Sequence, residues 1–218
     1  MFIGHTAAAL LGRRIEPSPS LGTYVLAATF ADLLLPIFLL LGWEQVEIVP
    51  GETVVSPLRL SHYPYSHSLL AAVGWSVVFG LVYWLFRRRR RGALTLGLVV
   101  LSHWVLDFIS HEPDMQIVPW SPTVVGLSLW NSLVGTALVE GALFAVGVVL
   151  YLRATRPKDR IGRYALAGLV GLLAVSYAAS LTGGAPPNIR VFAIFSITGG
   201  WLTVAWAYVI DRHRTARH

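Results

Sequence analysis

The chain contains no cysteine. That excludes disulfides and thiolate metal ligands, so any bound metal must rely on His, Asp and Glu. Charge is scarce as well, with 11 acidic and 17 basic residues making up 13% of the chain. So little charge beside a hydrophobic fraction of 55% excludes an ordinary water-soluble domain. The composition is that of a polytopic helical membrane protein. A basic region ahead of the first apolar run is also missing, since the opening reads MFIGHTAAALLGRR, and no cleaved signal peptide is expected. No repeat and no linker divides the sequence, which reads as one integral membrane domain over residues 1–218.

The apolar runs predict an all-α bundle of about six transmembrane helices plus an N-terminal half-helix. Residues 1–12 are too short to span and stop at Arg13 and Arg14. Residues 21–43 are long enough to cross, and Pro36 predicts a kink four residues after Asp32. A polar loop follows over 44–65. Residues 66–86 cross back with Ser66 as N-cap. Five arginines at 87–91 precede a crossing over 93–111, which Pro113 ends. Further crossings are expected over 125–152, 164–181 and 191–210. Residues 1–124 form the expected metal-site core, and 125–218 supply the additional helices.

The positive charges predict orientation. Arg13, Arg14, the arginines at 87–91, the basic stretch 153–163 and the tail from 211 fall on one side; only Arg59 and Arg190 fall on the other. The arginine-rich side is therefore expected to be cytoplasmic, in the inner (cytoplasmic) membrane of the cell. The arginine run is read as a topology signal in contact with anionic membrane lipids. With no nucleic-acid reading motif beside it, nucleic acid is not an expected partner.

The polar residues inside this apolar frame carry the functional signal. In LSHWVLDFISHEPDMQIVPW (residues 101–120), His103, Asp107 and His111 stand at i, i+4 and i+8. On a helix these drift by only about 80° and share a face. Ionisable groups in a bilayer are costly and usually functional, and two imidazoles with a carboxylate on one stripe look like half a metal site. Asp32 on its own helix, and His62 and His67 flanking the outer start of the next, are expected at a similar depth, with His5 from the half-helix. The expected metal ligands are thus His5, Asp32, His62, His67, His103, Asp107 and His111. Glu140, mid-membrane in its crossing, is with Asp32 an expected general base. Asp114 is expected to be solvated.

Taken in order, these residues resemble a known pattern. It comprises an early Gly-His before small residues (Gly4-His5, Ala7 to Ala9), an aspartate in ATFADLLLP (Asp32), a His-rich segment (His62, then Ser66-His67-Ser68), and a Ser-His to Leu-Asp run (Ser102-His103, Leu106-Asp107) before Val118-Pro119. Over about the first 120 residues the chain resembles the membrane-bound, metal-dependent hydrolases of the DUF457 family, the type of a LexA-regulated inner-membrane hydrolase. Two positions depart from that pattern: an aspartate pair is reduced to Ala31-Asp32, and Tyr63 stands in place of an arginine. The family is distantly similar to zinc-dependent phospholipase C. The resemblance implies hydrolysis with one or more zinc ions, or another divalent metal, acting on a phosphoester or lipid-linked substrate. The expected site faces the non-cytoplasmic side. The rival expectation is a metal-ion or proton-coupled transporter, whose polar path should continue into the cytoplasmic halves of the helices. Those halves are almost wholly apolar.

Overall fold

The computed structural model describes residues 1–217. It is an all-α bundle, with helices joined by short two-stranded pairs at its ends. Five helices are long and apolar enough to cross a membrane: α5 (Leu69–Arg87), α6 (Arg90–Ser110), α7 (Leu133–Ala154), α8 (Arg160–Thr182) and α9 (Ile189–Arg212). A bent pair, α2 (Leu21–Ala28) and α3 (Phe30–Leu40), meets the same criterion when its two helices are taken together, which makes six if the pair is one span. Many of their apolar side chains face outward, including Val77, Leu81, Leu94 and Leu98. That surface suits lipid rather than water.

The half-helix α1 (Ile3–Ile15) runs through Arg13 and Arg14 rather than ending before them. The reason lies at its end, where Arg13 Nε donates to Asp211 Oδ1 of α9 at 3.0 Å. Small residues let α1 sit deep among the spans. A Cβ on Gly147 of α7 would come within 3.0 Å of Ala7 Cα, and one on Gly12 within 2.8 Å of the Tyr24 ring of α2. His5 is carried into the bundle in this way and is 1% exposed.

The bend in the second crossing lies at Thr29, with 53° between α2 and α3, and not at Pro36. Two side chains compete for the helical ladder there. The Thr29 hydroxyl donates back to the Val25 carbonyl at 2.9 Å, and Nδ1 of His103 donates to the Ala28 carbonyl at 2.7 Å. Side chains inserted into the i→i−4 ladder are a recognised cause of bends. Pro36 continues within α3, which ends at Leu40.

Other boundaries also differ from the sequence reading. The expected loop 44–65 contains a hairpin, β1 (Gln45–Ile48) against β2 (Leu58–His62). The cap of α5 is Ser68, whose side chain accepts from Ala71 N at 3.1 Å, while Ser66 lies in the short α4 (Pro64–His67). His111 is the C-cap of α6 with extended backbone (ψ 155°), so it leaves the helical stripe. The next crossing, α7, starts at Leu133 rather than 125, after β3 (Met115–Gln116) paired with β4 (Val124–Val125) and a 3₁₀ turn over Leu129–Asn131. At the opposite end β5 (Thr155–Pro157) pairs with β6 (Arg214–Ala216).

Gly126 fixes the loop that holds His111. A Cβ there would lie 2.0 Å from the Glu112 carbonyl oxygen and 2.6 Å from that of His111. Both obstacles are backbone, so Gly126→Ala must push the loop outward. It is expected to cost about 1–3 kcal/mol, as overpacking does, read as a lower thermal midpoint in detergent.

Candidate metal centre

Five side chains from four elements meet at one depth. They are His5 of α1, Asp32 of α3, His67 of α4, and His103 and Asp107 of α6. The four-residue spacing on α6 puts His103 Nε2 3.0 Å from Asp107 Oδ2. His67 Nε2 lies 3.3 Å from His103 Nε2 and 3.7 Å from Asp107 Oδ2. Asp32 Oδ1 is 3.7 Å from the Nε2 atoms of both His67 and His103. A tetrahedral ion with bonds of about 2.0–2.2 Å needs ligand atoms roughly 3.4 Å apart. Asp32 Oδ1 and Asp107 Oδ2 each form with the two imidazole nitrogens a triangle whose edges run from 3.0 to 3.7 Å, close to that spacing.

The hydrogen bonds around the ring show which nitrogens face inward. A carbonyl only accepts, so His103 Nδ1 carries the hydrogen in its 2.7 Å bond to Ala28 and Nε2 is left with its lone pair. The Ser66 hydroxyl donates to Glu44 Oε2 at 2.7 Å. Its single hydrogen is spent there, so toward His67 Nδ1, also at 2.7 Å, it accepts. His67 Nε2 is therefore bare as well. In the neutral rings both lone pairs point into the same space, 3.3 Å apart, where a cation would sit between them. Each imidazole is thus oriented by an outer partner, as metal-binding histidines are.

His5 faces the other oxygens of the same carboxylates. Its Nε2 is 3.1 Å from Asp107 Oδ1 and 4.0 Å from Asp32 Oδ2. The ring stacks on His103 with centroids 3.7 Å apart, and neither of its buried nitrogens has a hydrogen-bond partner. The amino group of Met1 also donates to Asp107 Oδ1, and contacts Ser110 Oγ at 3.3 Å. An orphaned, buried imidazole beside two carboxylates is chemically a ligand set for a divalent cation, so the residues present fit a metal.

The match to known proteins covers all of this. A family model described as YdjM inner membrane protein matches residues 1–185. The chain belongs to the YdjM inner membrane protein family. The matched region contains every residue of the cluster and ends before α9 begins. Comparison with curated proteins gave no match, and neither did comparison with solved structures.

The remaining expected site residues of this YdjM family member lie at different distances from the centre. His111 Nε2 is 4.0 Å from Asp107 Oδ1, beside the cluster. Its Nδ1 lies 3.2 Å from Asp114 Oδ1, and its ring packs on Trp130. Asp114 also accepts from the Tyr63 hydroxyl at 2.6 Å, so it is bound within the site's rim rather than free in solvent. Burial and the Asp114 carboxylate push the Tyr63 phenol well above its ordinary range, which keeps it a donor. His62 is exposed on β2 and packs against Tyr65, away from the cluster. Glu140 is 1% exposed, and its Oε2 accepts from the backbone of Phe2 at 2.7 Å and Gly4 at 3.2 Å. It caps the start of α1, where no side chain of that helix does so.

Sequence reasoning missed Glu44. This carboxylate is 2% exposed, takes the N–H groups of Tyr65 and Ser66 at 2.8 Å, and anchors the Ser66–His67 relay. Standing at the polar end of a crossing, it carries no local sign of burial.

Removing the acceptor at Glu140 tests its capping role. Glu140→Leu leaves two buried N–H groups unpaired, at about 1–3 kcal/mol each. Glu140→Gln keeps one acceptor oxygen and should recover much of that loss. Thermal midpoints of the two variants check the order.

Proposed function

We propose that this chain is a membrane-embedded, metal-dependent hydrolase acting on a phosphoester or lipid-linked substrate near the outer leaflet. One observation carries the reading: two imidazole nitrogens 3.3 Å apart, each ring held from outside through its other nitrogen, with two carboxylates beside them inside an apolar bundle. His67, His103, Asp32 and Asp107 would hold a zinc ion or a similar divalent cation. His103 has one free nitrogen and serves one ion only. His5 with Asp107 Oδ1 and Asp32 Oδ2 therefore offers a second position, with His111 beside it. Zinc bound by such residues lowers the pKa of its water toward about 7 and polarises a phosphoryl oxygen.

The chain's own residues divide the remaining work. The Asp32 side chain is 46% exposed where those of His5, His67, His103 and Asp107 are nearly closed off. It marks the open face; with only the first ion bound, its free Oδ2 would be placed to take a proton from the attacking water. Glu140 holds α1, and with it His5, in register. An apolar crevice lined by Phe30, Ala72, Trp75 and Val100 reaches His67 and His103. A polar pocket of about 250 Å³ abuts Asp114 and Trp130 on the rim. An apolar crevice at the centre and a polar pocket on its rim favour an amphipathic substrate. The arginine distribution supports a non-cytoplasmic position for this face.

The experiment is a screen of phospholipids and soluble phosphoesters with purified protein, before and after chelation and zinc reloading. Hydrolysis that stops on chelation, returns with zinc, and is lost in Asp32→Asn supports the proposal. Metal-loaded protein that hydrolyses nothing, yet takes up metal or protons in proteoliposomes, would replace hydrolysis by transport.

A further inference from the structure

The helix hairpin of α5 and α6 carries a feature unrelated to the metal centre. Arg88, at the turn, has φ +52°, and the two helices run back antiparallel from it. They pack through small residues: Ser76 Oγ donates to the Gly97 carbonyl at 2.7 Å, and a Cβ on Gly80 would come within 3.0 Å of the Ala93 carbonyl. Small residues sink the surface into a trough of about 480 Å³. Val77, Leu81, Leu94 and Leu98 wall it, and Trp84 and Arg90 close its end. The walls are open to the surroundings; Leu94 is 70% and Leu98 66% exposed.

Beyond Trp84 stand the five arginines at 87–91, all exposed. Arg13 and Arg59 have carboxylate partners, whereas among the described residues none of these five has one within 4.0 Å. Arg88 rests on the Trp84 ring, 5.2 Å from its centroid. From Trp84 to Ser76 the helix rises about 12 Å, close to half of a hydrocarbon core of about 30 Å. The trough therefore spans the depth of a single leaflet, with unneutralised positive charge where that leaflet's phosphates lie.

We propose that this trough is a binding site for one anionic phospholipid. An acyl chain lies along Gly80, Ala93 and Gly97, and the phosphate is held by Arg90 and its neighbours. Charge complementarity selects the lipid: a zwitterionic headgroup brings its own cation to five that are already unpaired. The trough thus fixes the α5–α6 hairpin to the arginine-side leaflet, at the end of the bundle away from the metal centre.

Trp84 supplies the reporter, because brominated acyl chains quench tryptophan on contact. Protein in nanodiscs is compared with dibrominated phosphatidylglycerol and dibrominated phosphatidylcholine at equal mole fraction. The site predicts stronger quenching by the anionic lipid. That excess should vanish in Trp84→Phe and fall several-fold in Arg90→Gln. Val77→Phe/Leu94→Phe, at exposed rim positions, should reduce it too by crowding the trough without touching charge. Equal quenching by the two lipids overturns the proposal, as does an excess that survives any of these variants.

Discussion

Asp107→Asn should empty the centre of metal. Asp107 is the residue that all four neighbouring imidazoles face: His103 at 3.0 Å, His5 at 3.1 Å, His67 at 3.7 Å and His111 at 4.0 Å. The amide removes the anion and replaces one acceptor oxygen with a donor, which would point at a bare imidazole nitrogen or at the Met1 amine. Even outer-sphere partners of metal ligands are worth about 10–100-fold in affinity, and a shared carboxylate ligand is worth more. Elemental analysis of the purified variant should fall from at least one divalent ion per chain to background. His103→Ala should do the same, since it also frees the Ala28 carbonyl at the α2–α3 bend. Because metal binding contributes to folding, chelation should lower the thermal midpoint of wild type and leave that of Asp107→Asn unchanged.

Ser66→Ala is the second large effect, and it acts at a distance from the proposed ion. Ser66 touches none of the inward-facing atoms. Its hydroxyl accepts from His67 Nδ1 and donates to the buried Glu44 carboxylate. Without it the imidazole loses the partner that keeps Nε2 bare, and Glu44 loses a donor. A loss of about 10–100-fold in zinc affinity is expected, measured by competition with a chromophoric chelator. Ser66→Thr keeps the hydroxyl and should restore most of the affinity. If Ser66→Ala binds zinc as tightly as wild type, His67 is not oriented in this way.

The bundle was legible because a bilayer simplifies the code. Long apolar runs broken by arginine clusters read as spans, and five of the six expected crossings are single helices long and apolar enough to cross, the sixth being the bent pair if that is one span. Where the sequence misled, tertiary hydrogen bonds overrode local signals. Pro36 is the conspicuous helix breaker, yet the bend lies at Thr29, where a histidine 75 residues beyond Ala28 takes the Ala28 carbonyl. His111 matches the helical stripe by spacing but caps the helix, because Gly126 lets a loop fold back onto it.

The cluster was legible for a related reason. Ionisable residues in apolar runs have nowhere to go but toward one another, and His5, Asp32, His67, His103 and Asp107 do meet. His62 carries the same chemistry, but it sits on a hairpin strand that no apolar periodicity announces. Glu140 looked like chemistry because it is a carboxylate deep in a span. The structure gives it two backbone N–H groups at the start of α1. Glu44 and Ser66 orient His67 through contacts that only the folded chain creates.

The most direct test of the account is zinc K-edge X-ray absorption on protein purified with its metal retained. The account predicts a first shell of nitrogen and oxygen only, at about 2.0–2.1 Å, with the multiple-scattering pattern of at least two imidazoles that disappears in His67→Ala/His103→Ala. Protein without stoichiometric metal, or a spectrum free of imidazole scattering, would contradict it.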